Sequence, residues 1–211
     1  MDLDSNKHEN QEMQISPVED LMREHGVLHR VLLIYKDIIS RLRGEKPYDL
    51  YLICNATLNA ANISKAFIEE YHQVLEEQYI FPRFQQSQQH IQLIQTLLVQ
   101  HNAARCLSNM ILRLLASFTG SASQRYQLEN LLSTYIRMYE PHSSREDTVV
   151  FPAFHSLVSE ETFKELGENF EEIEEQKFGM NGFHSIVQQI AQIEQSLGIF
   201  DIGQYTPNCN I

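Results

Sequence analysis

The sequence predicts an all-α bundle. Three observations carry it: apolar residues recur at helical spacing, no stretch alternates with a strand's two-residue period, and glycine and proline fall mainly at segment boundaries. At 211 residues the chain is long enough for one well-buried core with a terminal extension.

Residues 1–15 are polar and acidic and are expected to form a disordered lead. Ser16-Pro17-Val18-Glu19 is a helix start, with serine at N-cap, proline at N1 and glutamate closing a capping box. This first helix carries Leu21, Leu28, Leu32, Tyr35 and Ile39 and should stop near Gly44. Pro47 is expected to open a second helix through Ile53, Phe67 and Val74 to about Phe84. Ser87 is expected to cap a third, with Ile91, Ile94, Leu98, Met110 and Leu114, ending before Gly120. The fourth should run from about Ser123 to Leu157.

A fifth helix, Glu160 to Phe178, starts from Ser159 with acidic residues in its first turn, which suits the helix dipole. A sixth follows Gly182 to Gly198, and residues 199–211 read as an irregular tail. The expected division is a bundle over 16–158 and a helical extension with tail over 159–211. Pro82 and Pro152 are expected to end or kink their helices, and Pro141 to disturb the fourth.

The net charge is −12, from 16 basic and 28 acidic residues, and no stretch supplies the basic face that nucleic acid requires. Many of the acids fall within 160–175, where they suit a solvated helix face. The three cysteines, Cys54, Cys106 and Cys209, form no CxxC pair, which argues against a disulfide framework or a thiolate zinc site. Cys54 and Cys106 are expected as small core residues. No run approaches the roughly 18 apolar residues of a membrane span, and no secretory pattern opens the chain. A membrane partner is not expected, and the default compartment is the cytoplasm.

One motif occurs twice, 70 residues apart: His72-x3-Glu76-x4-Phe81-Pro82 and His142-x3-Glu146-x4-Phe151-Pro152. A lone histidine precedes each copy on an earlier helix, His25 before the first and His101 before the second. Positions i and i+4 share a helix face, so each His/Glu pair can aim at one point. Four nitrogens and two carboxylates from four helices would make a cage for two metal ions. The remaining histidines, His8, His90, His155 and His184, have no matching partner and read as ordinary. His29 lies one turn after His25; a buried polar neighbour is its expected role, an alternate ligand the lesser one.

Imidazole and carboxylate without thiolate suit iron, manganese or zinc. With both glutamates and an oxo or hydroxo group bridging two irons, each ion keeps one octahedral position open to a small molecule. Ligand imidazoles need partners to orient them, and Tyr71, Tyr139 and Glu69 are candidates by proximity.

The segments EHGVLH, HQVLEEQYIFP, VQHNAARC and HSSREDTVVFP, in their order along the chain, resemble the hemerythrin-like (HHE cation-binding) family from about His25 to Phe154. The resemblance implies an up-down four-helix bundle around a non-haem di-iron centre. It makes His25, His72, His101 and His142 the nitrogen ligands, with Glu76 and Glu146 as bridging carboxylates. Oxygen carriers of the family have a fifth histidine one turn after the third-helix ligand, and an aspartate five residues after the last ligand histidine. Here those positions are Arg105, which has no lone pair to give, and Asp147, a minor rival to Glu146. The pattern is closer to the symmetric four-histidine, two-glutamate members, such as the iron-centre repair proteins and the iron-sensing F-box domain. A ferritin-like site needs two ExxH motifs, and only Glu69-x-x-His72 fits.

The leading functional expectation is a di-iron protein that binds or reacts with dioxygen, peroxide or nitric oxide; turnover is left open. The alternative is an iron store or sensor whose occupancy controls stability or a protein-partner surface on the fifth helix and tail.

Overall fold

The structure, a computed structural model, describes residues 15–209; the expected lead, up to residue 14, lies outside them. All the long elements among the described residues are helices. Helix α1 is Pro17–Leu42, α2 spans 50–87, α3 is Ile91–Leu115 and α4 spans 122–154. Two further helices follow, α5 (Glu160–Phe178) and α6 (Gly182–Leu197). The expected bundle with added C-terminal helices is what the chain forms.

The helix starts follow local chemistry. In α1 the Ser16 hydroxyl accepts from the Glu19 N–H at 3.3 Å and the Glu19 carboxylate accepts from the Ser16 N–H at 3.1 Å, the expected capping box. Helix α2 starts at Leu50, where Asp49 accepts from the Leu52 N–H at 3.0 Å, so a side-chain acceptor and not Pro47 opens it. Ser87 does not cap α3 either: its hydroxyl donates back to the Phe84 carbonyl, and His90, in the left-handed region, precedes α3. Ser121 and Ser159 cap α4 and α5. In the expected irregular tail, Ile202–Tyr205 form one 3₁₀ turn.

Helix α1 packs on α2 and α4, and α3 packs on the other flanks of the same two helices, which closes a four-helix ring. Its core runs through Leu28, Leu32, Tyr35, Phe67, Leu132 and Tyr135, all buried. The α5–α6 hairpin turns through Gly179 (φ +78°) and Asn181 (φ +70°) and lies against α1, with α6 also reaching α2. Arg30 forks onto Glu194 at 2.9 and 2.5 Å, and Arg41 donates to the Leu197 carbonyl at 2.7 Å. Cys106 is exposed and Cys54 only half-buried, so neither is the core residue expected. Helical periodicity locates a buried stripe but blurs its edges, and both lie off it.

Pro82 and Pro152 do not end their helices. Each follows a wide π-helical turn, Glu76–Ile80 and Glu146–Val150, and opens the α-helical segment after it. In these turns the Phe81 N–H reaches the Glu76 carbonyl and the Phe151 N–H reaches that of Glu146, five residues back. The wider turn relieves the clash of a proline ring with the carbonyl four residues earlier. Pro141 likewise sits inside α4 without ending it.

Candidate metal centre

Each bundle helix contributes one histidine to a common interior point, and all four rings are at most 3 % exposed. The Nε2 atoms of His25 and His72 face each other at 3.1 Å. Glu76 lies between His72 and His101, its Oε2 at 3.6 and 3.4 Å from their Nε2 atoms. Glu146 lies among His142, His25 and His101, with Nε2–oxygen separations of 3.1, 3.4 and 3.8 Å. The six predicted residues thus come together as two triads, His25/His72/Glu76 and His101/His142/Glu146, each with ligand atoms within 4.8 Å of one another.

The outward ring nitrogens explain how the inner ones are aimed. His72 Nδ1 donates to Glu24 at 2.6 Å, and His101 Nδ1 to Glu77 at 2.8 Å. His142 Nδ1 donates to the Gln100 amide oxygen at 2.8 Å, and His25 Nδ1 to Asp147 at 2.7 Å. Every partner is the chain neighbour of a centre residue on the adjacent helix: Glu24 precedes His25, Glu77 follows Glu76, Gln100 precedes His101 and Asp147 follows Glu146. The four bonds therefore run once round the bundle. An Nδ1 that donates outward leaves the Nε2 lone pair pointing inward.

The phenylalanines of the repeated motif wall the same rings. Phe81 lies 5.5 Å from the His101 ring and Phe151 5.6 Å from that of His25, centroid to centroid. Full burial of each contributes about 1.5–3 kcal/mol and keeps water from the imidazoles. Glu76 and Glu146, which open the wide turns, are completely buried.

The inner surface consists of acceptors. Both oxygens of Glu76, both of Glu146 and His101 Nε2 are buried without a hydrogen-bond partner. Such a set is costly unless cations or protons occupy it. In their place, protons would sit on imidazoles. Burial opposes charge on His25, but Asp147 and Glu146 outweigh it and push the ring up to about 10. Burial also opposes charge on His101, which Glu146, Glu76 and Glu77 raise well above the usual value. Burial takes His72 down to about 4. Burial would raise Glu146, yet His142, His101 and His25 hold it well below the carboxylate range, while burial and Glu146 raise Glu76. A nitrogen and carboxylate donor set that otherwise has to gather protons fits two divalent or trivalent cations.

Several expectations about the surroundings change. Asp147 holds His25 from outside, and Glu146 is the inner carboxylate. His29 is exposed, not buried, and binds the Ser143 hydroxyl at 3.0 Å. Tyr71, Tyr139 and Glu69 orient no ligand nitrogen: the Tyr139 hydroxyl accepts from Gln73, and Glu69 accepts from Ser108. Arg105 donates to Glu77 at 2.8 Å and so braces the partner of His101. The overlooked partners Glu24, Glu77 and Gln100 carried one signal, adjacency to a centre residue, which Asp147 shares. A cleft of about 170 Å³, lined by Thr96, Leu97, Gln100, Pro141 and Arg145, reaches His142.

Residues 16–154 match the hemerythrin HHE cation binding domain. Uncharacterized proteins of Mycobacterium bovis and Mycobacterium tuberculosis are 43 % identical over 202 residues, which is 94 % of this chain and 76 % of each relative. No solved structure gives a significant match. Among the described residues no helix is long and apolar enough to cross a membrane.

Proposed function

The chain belongs to the hemerythrin HHE cation-binding family, and from that premise we propose a non-haem di-iron protein whose centre binds or reacts with a small ligand. Dioxygen, peroxide and nitric oxide are the ligand class. His25, His72, His101 and His142 would hold the two ions through nitrogen, and Glu76 and Glu146 would hold them through carboxylate oxygen. When bound, the iron pair supplies open coordination and a change of oxidation state. One observation carries the reading: the converging atoms are all acceptors, five of them buried without a partner.

The chain's own residues do the rest. Glu24, Glu77, Gln100 and Asp147 hold the imidazoles in one tautomer, and Phe81 and Phe151 exclude water from two of them. A cleft of about 170 Å³ touches the outer side of His142, beside its partner Gln100. Iron counted per chain, together with optical spectra before and after azide, peroxide or nitric oxide, tests the proposal. Two irons and a ligand-dependent change in the iron absorption are expected. Iron-free protein after loading, or spectra indifferent to all three additions, defeats it.

The same pocket supports a storage or sensing reading, because neutralising buried acceptors couples occupancy to folding. That reading expects chelation to lower the melting temperature and alter a partner surface, with no response to the small ligands.

A further inference from the structure

A groove of about 680 Å³ runs between α2 and α6. The two helices lie antiparallel. At one end Arg41 ties them, donating to the Pro47 carbonyl at 3.3 Å and to the Leu197 carbonyl at 2.7 Å. Toward the other end Phe67 meets Phe183, with ring centres 6.2 Å apart. The groove follows residues 51–66 of α2, about 22 Å of helix. Ile63 and Ile193 reach it from below, and Asn55, Asn59 and Asn62, on one face of α2, stand opposite Gln192 of α6. The side-chain amides of these four residues are exposed and bond to no other group among the described residues. No residue lining the groove is charged, in a chain with 28 acidic and 16 basic residues.

The chain's end adds an apolar patch at the Arg41 end of the groove. Tyr51, which lines the groove there, is 77 % exposed. Phe200, Ile202 and Tyr205, just past the end of α6, are 49, 81 and 59 % exposed. Gln204 donates to the Gly198 carbonyl at 3.1 Å, which holds this segment close to the helix end. Single exposed apolar side chains are ordinary, but four together at the mouth of an uncharged groove make a patch that suits a partner.

We propose that the α2–α6 face, groove and tail together, is an interface between two copies of this chain related by a two-fold axis. Two chains of net charge −12 repel each other, and a face without charge is where they can meet at least cost. An amide carries both donors and an acceptor, so a row of asparagines set across a two-fold axis meets its own complement. A basic partner would call for carboxylates on this face and nucleic acid for lysine or arginine, and the lining offers neither. The tail's apolar side chains then lose their exposure against the partner copy. The inference does not depend on the metal centre.

Sedimentation of the full chain over a concentration series, at low and high salt, tests this. A species of twice the chain mass is expected, and salt should tighten it by screening the repulsion between the two net charges. Asn59→Asp sets one carboxylate from each copy into the interface and should weaken the dimer roughly tenfold or more. Ile202→Ser should weaken it less, through lost apolar burial. Val99→Asp adds the same charge at a 68 % exposed position on α3 and should leave the dimer as it is. All three positions are exposed, and an unchanged helical circular-dichroism spectrum shows that the variants fold. A wild type that stays monomeric at every concentration overturns the proposal, as does a dimer that salt loosens. A dimer that Asn59→Asp weakens no more than Val99→Asp does places the contact elsewhere and overturns it too. One that Ile202→Ser leaves equally tight overturns the tail's part in it.

Discussion

The two halves of the centre carry the same inner donors and different outer ones. On the α1–α2 side, His72 leans on Glu24, a carboxylate with no exposure, which belongs to an acidic cluster under the C-terminal helices. On the α3–α4 side, His142 leans on Gln100, a neutral amide that lines a cleft. The other two partners match closely: Asp147 and Glu77 are carboxylates of 28 % and 27 % side-chain exposure. A carboxylate behind an imidazole makes it the more basic ligand, and an amide does less. The repeat therefore builds two similar pockets, and position 24 against position 100 makes them unequal. The first is expected to be the tighter seat, and the second has its outer partner, Gln100, on a cleft.

Removing an inner carboxylate is the largest blow to that comparison. Because Glu76 and Glu146 both face imidazoles of both halves, either Glu76→Ala or Glu146→Ala should empty both positions. Iron analysis that finds one ion retained in either variant breaks the shared-carboxylate picture.

The outer partners come next. Glu24→Gln should weaken iron binding by roughly 10–100-fold at the first seat. Gln100→Glu should strengthen the second and make the halves alike, so that two unequal Mössbauer environments merge. Separate environments that persist in Gln100→Glu would place the asymmetry elsewhere.

A smaller effect concerns pH. His25 rises to about 10 from its ordinary 6.5, so in metal-free protein its stabilisation is full below 6.5 and is lost as pH climbs through 10. His72 falls to about 4, so the unfolded chain takes up that proton first and stability also declines from pH 6.5 down through 4. Burial also raises Asp20 to about 7 and Glu24 to about 8, which adds to the alkaline loss. Metal-free protein should therefore lose melting temperature as pH climbs from 7 to 10, and loading should flatten that decline because the ions displace the proton from His25. Melting curves of both forms across pH check this; a metal-free curve that rises between pH 7 and 10 contradicts it.

The smallest effect is a control. His29 is exposed and faces Ser143, so His29→Ala should leave iron content and spectrum as they are. Lost iron would return His29 to the ligand shell.

Legibility followed the range of the interaction. The His-x3-Glu spacing lies within one helical turn, so each pair could be read as sharing a face, and the lone His25 and His101 followed from the repeat. The capping box at Ser16 and the cap at Ser159 are equally local. Ser87 and Pro47 misled because caps compete: Asp49 reached the free N–H groups of α2 first, and the Ser87 hydroxyl turned back onto Phe84. Pro82 and Pro152 were legible as disturbances, but a wide turn absorbs a proline as well as a break does.

The sequence by itself determined the helices, the two copies of the motif and the residue types suited to a cation pair, because all of these rest on contacts within a turn or two of chain. Only the tertiary structure decided which side chain stands behind which imidazole. Glu24 serves His72 and Asp147 serves His25, across 48 and 122 residues of chain. Such pairings depend on the rotation of each helix about its axis, which is set when four apolar faces pack together and is not written in any one of them.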